Sequence, residues 1–101
     1  KFPCNGQYPE QMYSFVKDIR FMEELKKLGF DNTYCLTLVC DKNYYSGEKK
    51  DGIYSFFRAG KIISGTIYKP TGRDIQSITL SDEYKISWEP CNDMRYYILE
   101  I

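Results

Sequence analysis

Apolar residues in the first third of the chain recur at the spacing of one helical face. Across positions 9–28 they stand three and four residues apart, with charged residues between them. The apolar set is Met12, Phe15, Val16, Ile19, Met22, Leu25 and Leu28. Pro9 suits a first helical turn, and Gly29 suits the left-handed residue that follows a helix. The pattern predicts one continuous amphipathic helix that ends at Gly29 and packs its apolar face on a sheet.

The next segment, positions 33–40, is rich in β-branched and apolar residues and shows little alternation. Such a run is typical of a central strand that is covered on both faces, so we expect Leu36 and Leu38 to be buried. A helix, a short turn and a buried strand are similar to half of a βαβ unit. The strand before the helix would then end near Phe2, with most of it upstream of Lys1.

The second half of the chain has shorter and weaker patterns. Positions 41–51 are polar and predict an exposed loop, and positions 53–58 fit a short helix or an edge strand equally well. Four further strands are predicted at 61–68, 75–80, 84–88 and 95–101, with turns at 70–72, 81–82 and 90–93. We therefore predict a single α+β domain over residues 1–101, in which one long helix packs on a mixed β-sheet and the C-terminal half is antiparallel and β-rich.

Composition limits the classes of protein that remain. The 101 residues are 43% hydrophobic, which is enough for one compact core. Lysine plus arginine and aspartate plus glutamate both total 14, so net charge does not indicate a protein that coats polyanions or membranes. Apolar runs of a few residues are far shorter than the roughly 20 that span a bilayer. The chain begins at Lys1 and shows no secretory signal, so we expect a piece of a cytoplasmic protein.

The four cysteines, Cys4, Cys35, Cys40 and Cys91, admit three interpretations. An even number could form two disulfides, and four thiolates could hold zinc, although the chain has neither a CxxC pair nor a histidine. Cys35 and Cys40 lie in or beside the most apolar segment, where free cysteine acts as a small hydrophobe. We favour four reduced thiols, with no bridge between Cys35 and Cys40 and no metal.

Several kinds of catalytic site are excluded within this chain. It has no histidine, so Ser-His-Asp, Cys-His and HExxH sites cannot form. It has no GxxxxGK[ST] or GxGxxG motif, and its glycines are spaced like turn residues. The acidic residues Glu48, Asp51, Asp82 and Glu83 fall in turn-like, solvated segments and give no acid/base pair.

The opening segment carries a resemblance. Residues 1–25 read KFP-x-NGQ-x-PEQM-x-SFVKDI-x-F-x-EEL, in which a lysine is followed by a short polar turn and a helix that starts with Pro-Glu-Gln. This resembles the region after the catalytic strand of PD-(D/E)XK restriction-endonuclease-like nucleases, and most closely the type II restriction endonuclease sequences of bacteria. The resemblance covers the first forty residues and fades beyond Asp51.

The resemblance implies a function and a partial restriction-endonuclease-like core. Lys1 would match the motif lysine, and Gln7 or Gln11 would match a polar residue beside the scissile phosphate. The acids that bind Mg²⁺ would precede position 1, so this chain would be an inactive C-terminal part of a Mg²⁺-dependent DNA endonuclease. The family also implies a double-stranded DNA substrate and allows a homodimer, since palindromic sites mirror two-fold symmetry.

DNA would be held mainly through its phosphates. The candidate contacts are Lys42, Lys49, Lys50, Arg58, Lys61, Lys69 and Arg73. For each of them an ordinary charged surface is an equally good interpretation. The alternative function is a non-enzymatic module that binds protein or DNA through its β-rich half.

Overall fold

The computed structural model describes residues 7–70 and 72–101. Helix α1 spans Tyr8–Lys27 and has proline in its first turn. It ends in a Schellman motif, in which Phe30 N–H donates to the Leu25 carbonyl at 3.2 Å and Gly29 N–H donates to the Lys26 carbonyl at 3.1 Å. Gly29 takes the left-handed conformation, with φ of 97°. The predicted helix and its end are confirmed.

The buried face of α1 differs from the prediction near its C-terminus. Met12, Phe15, Val16 and Ile19 are all buried, as expected. Leu28 is 77% exposed, and Leu25 is only half-buried. Tyr13 and Glu23 are buried instead. The apolar spacing predicts the buried face as far as Ile19. Further along α1 the buried residue is Glu23, which accepts hydrogen bonds from the backbone of Ser81 and Asp82.

In the part of the chain that the structure describes, seven short strands and one further α-helical turn follow α1. They are β1 (Tyr34–Val39), α2 (Tyr54–Phe57), β2 (Ile62–Ile63), β3 (Thr66–Tyr68), β4 (Ser77–Thr79), β5 (Tyr84–Lys85), β6 (Glu89–Cys91) and β7 (Met94–Glu100). A 3-10 turn at Lys42–Tyr44 lies within the predicted loop. The helical alternative is therefore the correct one for positions 53–58. The α+β class is confirmed.

Strand pairing is antiparallel throughout the described residues. One sheet has the order β1-β7-β6, and two smaller sheets pair β2 with β5 and β3 with β4. The predicted mixed sheet is thus not found in this part of the chain. The strand expected near Phe2 lies outside the described residues. Residues from all three sheets and from α1 share one hydrophobic core.

Strand β1 is covered on one face rather than two. Cys35, Thr37 and Val39 point into the core, but Leu36 is 58% exposed, so its predicted burial is wrong. Leu38 is only half-buried. Leu36 lies opposite Ile98 of β7, which is also largely exposed. The sequence of β1 cannot reveal this, because its buried and exposed positions are both largely apolar. Hydrophobicity alone therefore does not show which face of the strand is covered.

One predicted strand and one predicted turn differ in the structure, each for an identifiable backbone reason. The strand expected at 61–68 divides at Gly65, whose φ of 72° is left-handed, and its halves join different sheets. The turn expected at 90–93 shrinks to two residues, because Glu89–Cys91 forms a strand. Asn92 adopts φ of 56° there, which asparagine tolerates better than most residues.

The cysteines are not all reduced. Cys40 is disulfide-bonded, so the expectation of four free thiols is wrong at this position. Cys35 and Cys91 are free thiols, so the predicted absence of a bridge between Cys35 and Cys40 is confirmed. Burial raises the pKa of the Cys35 thiol to about 12, which keeps it protonated and unreactive.

Candidate functional site

Arg58 directly follows α2, and the core fixes its position. Phe57 is fully buried and packs edge-on against Phe15 of α1, with 5.6 Å between ring centroids. The indole nitrogen of Trp88 also donates a hydrogen bond to the Phe57 carbonyl at 2.6 Å. Because the preceding residue is held on both sides, the Arg58 side chain is directed under the loop at 41–51, where it is only 7% exposed.

The Arg58 guanidinium holds that loop through backbone carbonyls. Nε and Nη2 donate to the Lys49 carbonyl at 3.0 and 2.7 Å, and Nη1 donates to the Asn43 carbonyl at 3.2 Å. Burial lowers the pKa of Arg58, but an arginine starts from so high a value that the group keeps its charge at neutral pH.

No carboxylate balances this buried charge within the part of the chain that the structure describes. The ion pairs there involve Arg20 or Lys27 with acids of α1, and none involves Arg58. A guanidinium has five N–H groups, of which three are used here. One N–H on each terminal nitrogen is therefore left for an acceptor that these residues do not supply. Buried charges in proteins are usually paired, so this arrangement is unusual.

The Arg58 side chain lines a cavity of about 390 Å³. The described residues that line it contribute three cations, one carboxylate and two tyrosines, and they are Tyr8, Lys42, Asn43, Gly47, Glu48, Lys49, Tyr54 and Arg58. The Tyr54 ring lies 5.2 Å from the Arg58 guanidinium carbon and 5.6 Å from the Lys49 ammonium, within cation–π range of both. The cavity is thus positively charged and partly aromatic.

A second cavity, of about 520 Å³, adjoins the first and shares Gly47 and Arg58 with it. It adds Lys50 and Lys61, and the described residues that line it include no carboxylate. Together the two cavities form one basic surface with Arg58 at its centre. Its cations are Lys42, Lys49, Lys50, Arg58 and Lys61.

Tyr8, Asp41 and Asn43 form a hydrogen-bonded cluster that fixes the wall of the first cavity beside α1. The Tyr8 hydroxyl donates to Asp41 Oδ2 at 2.5 Å, and Asn43 Nδ2 donates to the Tyr8 oxygen at 3.1 Å and to Asp41 Oδ1 at 3.0 Å. The backbone N–H of Asn43 and the Tyr8 hydroxyl both lower the pKa of Asp41. Asp41 therefore remains an ionised cap of the 3-10 turn and keeps the first turn of α1 against the loop.

The structure brings together five of the seven basic residues predicted to contact DNA. The other two, Lys69 and Arg73, belong to the β3–β4 hairpin region and line neither cavity. Lys1 lies outside the described residues. Gln7 is the exposed N-cap of α1 with φ of 65°, and Gln11 is half-buried in the first turn; neither lines the basic surface.

Sequence reasoning missed Tyr8, Asn43 and Tyr54. The pair Asp41 and Asn43 carries a detectable signal, since an aspartate that accepts from the N–H two residues later is a common cap of a turn. Nothing in the sequence connects Tyr8 with this pair, which lies more than thirty residues along the chain. The contact depends entirely on how α1 packs.

The described residues contain no group of three or more histidine, cysteine or acidic side chains placed to hold a metal ion. No helix among them combines the length and apolarity needed to cross a membrane. Comparison with known proteins finds no matching family model, no similar curated protein and no similar solved structure.

Proposed function

We propose that this chain is part of a Mg²⁺-dependent DNA endonuclease of restriction type, in which the basic surface around Arg58 grips the phosphates of double-stranded DNA. The observation that carries the proposal is the clustering of five cations around two adjoining cavities. In a chain whose formal net charge is zero, such a cluster is a local feature rather than a consequence of composition.

The resemblance supplies the chemistry of the proposal. Carboxylates encoded before Lys1 would hold Mg²⁺, which stabilises charge in phosphodiester hydrolysis and lowers the pKa of a bound water. Lys1 would place a compact positive charge near the same oxygens, with Gln7 or Gln11 beside the scissile phosphate. The chain by itself is expected to be inactive, and a homodimer would suit a palindromic DNA site.

The proposal includes a cytoplasmic location, and one observation opposes this location. A restriction enzyme acts in the cytoplasm, where protein disulfides are rare. Cys40 is disulfide-bonded, which favours an oxidising compartment. An alkylating reagent that traps free thiols, applied to cells that express the parent gene, decides whether Cys40 is reduced or disulfide-bonded. A cytoplasmic enzyme should contain reduced Cys40.

A cleavage assay tests the activity. The parent reading frame should encode an acid two positions before Lys1, and its product should cut plasmid DNA when Mg²⁺ is present. Replacing Lys1 by alanine should lower the cleavage rate by orders of magnitude and leave the folded state intact, because single lysines outside a core contribute little to stability. A parent protein that is inert on many DNA sequences with Mg²⁺ or Mn²⁺ would refute the activity.

A second candidate function is a protein-binding module. It is favoured by the outer face of the β1-β7-β6 sheet, where Tyr34, Leu36 and Ile98 are all about half exposed or more. Replacing Leu36 and Ile98 by threonine separates the two functions. A nuclease should still bind DNA after this change, whereas a protein-binding module should lose its partner.

A further inference from the structure

We infer that the cavity beside Arg58 is a subsite for one phosphate group, in which the two unused N–H groups of the guanidinium bind two phosphate oxygens. The inference deepens the proposed function, on which the choice of a nucleic-acid phosphodiester as the natural ligand rests. Arg58 would bind one phosphate with a defined geometry, whereas the other cations of the basic surface would attract DNA without a fixed contact.

The charge of Arg58 favours an anionic ligand. A cation that is 7% exposed and has only carbonyl acceptors is incompletely compensated, because carbonyls offer partial charge and no counter-ion. Arginine forms its strongest hydrogen bonds with carboxylate or phosphate, through two parallel N–H groups. An anion in the cavity would satisfy both free N–H groups and neutralise the buried charge.

The cavity has room for a phosphate group beside Arg58. Its volume of about 390 Å³ falls in the range of about 300–1,000 Å³ that is common for ligand sites. Gly47 borders it with φ of 136°, and a Cβ built there would lie 3.7 Å from Arg58 Nη2 and 3.7 Å from Asn43 Oδ1. The absence of a side chain at Gly47 therefore leaves the terminal nitrogen open on this side.

The groups around the cavity are held in place before an anion binds. The guanidinium is already held by the Lys49 and Asn43 carbonyls, so little side-chain freedom is lost when an anion binds. The Tyr8–Asp41–Asn43 hydrogen bonds fix the wall of the cavity beside α1. Lys42 and Lys49 line the cavity and are exposed, so they attract an anion without requiring a fixed geometry. Glu48 also lines the cavity and opposes an anion.

Inorganic phosphate, titrated into the intact chain at constant ionic strength, tests the site directly. Nuclear magnetic resonance should show saturable shifts at the Arg58 Nε–H and at the Gly47 amide. Thymidine 5′-monophosphate and a dinucleotide with one internal phosphodiester serve as separate arms. A nucleic-acid subsite should bind the dinucleotide at least as well as inorganic phosphate, whereas saturation by inorganic phosphate alone would refute the nucleic-acid assignment.

Two variants make the test independent of general charge. Arg58→Lys keeps the charge but loses the planar fork, so phosphate affinity should fall about tenfold or more. Glu48→Gln removes the carboxylate that the described residues contribute to the cavity lining, and it should tighten binding. This variant also gives a readout if Arg58→Lys does not fold. Lys85→Ala is the matched control, since Lys85 lies on β5 outside both cavities, and it should bind like the parent.

The outcomes separate this site from the proposed nuclease. Saturable binding at Arg58 with no DNA cleavage by the parent protein would retain the phosphate site and reject the endonuclease. Cleavage with no shift at Arg58, or with Arg58→Lys as active as the parent, would retain the endonuclease and reject the subsite. Linear, unsaturable shifts spread over all lysines would mean that phosphate acts only by screening, and would overturn the inference.

Discussion

The carboxylate of Glu23 on α1 accepts a hydrogen bond from the hydroxyl of Tyr84 on β5 at 2.7 Å. The same carboxylate accepts the backbone N–H of Ser81 at 3.0 Å and that of Asp82 at 3.1 Å. One buried acid therefore ties the long helix to the turn between β4 and β5. It also explains why the C-terminal part of the α1 face is polar rather than apolar.

Glu23 should make the fold sensitive to acid. Burial alone would raise the pKa of Glu23, but hydrogen bonds from Ser81, Tyr84 and Arg20 outweigh it and hold the pKa below its usual value. A carboxyl group whose pKa is lower in the folded state stabilises the fold above its unfolded pKa, and this contribution is lost as pH falls through the folded pKa. Urea unfolding should show stability falling below about pH 4.5.

Glu23→Gln tests the origin of that loss. The amide cannot accept all of the hydrogen bonds, so we expect a cost of about 2–3 kcal/mol at pH 7 and a weaker dependence on acid pH. Tyr84→Phe removes a single donor and should cost about 1 kcal/mol while keeping the acid transition. An unchanged acid transition in Glu23→Gln would assign the transition to another carboxyl group.

The three described cysteines should differ in reactivity. Cys91 is exposed and free, so it should react with iodoacetamide in the native protein. Cys35 is buried and its pKa is raised to about 12, so it should react only after unfolding. Cys40 should need reduction as well. Peptide mapping by mass spectrometry distinguishes the three, and native labelling of Cys35 would contradict the burial described above.

Gly65 should be necessary for the break between β2 and β3. Its φ of 72° is left-handed, and an L-residue there costs roughly 1–2 kcal/mol. No heavy atom lies within 4 Å of a Cβ built at Gly65, so Gly65→Ala should destabilise through the backbone alone. Gly65→Asn is the matched control and should cost less, because asparagine tolerates this conformation. Equal thermal unfolding of the parent and the alanine variant would reject the strained turn.

DNA affinity should depend on salt through the exposed lysines of the basic surface. Removing one cation that neutralises a phosphate should reduce the slope of log affinity against log salt by about 0.9. We therefore expect Lys50→Ala and Lys61→Ala to lower both the affinity for a DNA duplex and the slope, and Lys85→Ala to change neither. Fluorescence anisotropy at several salt concentrations measures both quantities. Equal slopes in all variants would show that these lysines do not bind phosphates.

The site was only partly predictable from the sequence. Lys42, Lys49, Lys50, Arg58 and Lys61 could be named as candidates from charge alone, but so could Lys69 and Arg73, which line neither cavity. Charge along a chain does not tell which cations converge. The central position of Arg58 follows from the burial of Phe57, and the wall at Tyr8 follows from the packing of α1 on the loop at 41–51.

The sequence by itself determined the helix, because its apolar spacing, its proline and its terminal Gly29 are local signals that act within a few turns. It also determined where β1 and β7 run, since both are rich in β-branched or aromatic residues. Only the tertiary structure decided which face of β1 is covered and how the predicted strand 61–68 divides between two sheets. It also decided that Arg58 is buried with no carboxylate partner among the described residues. These features depend on contacts between residues far apart in the chain, and such contacts leave no periodic pattern in the sequence.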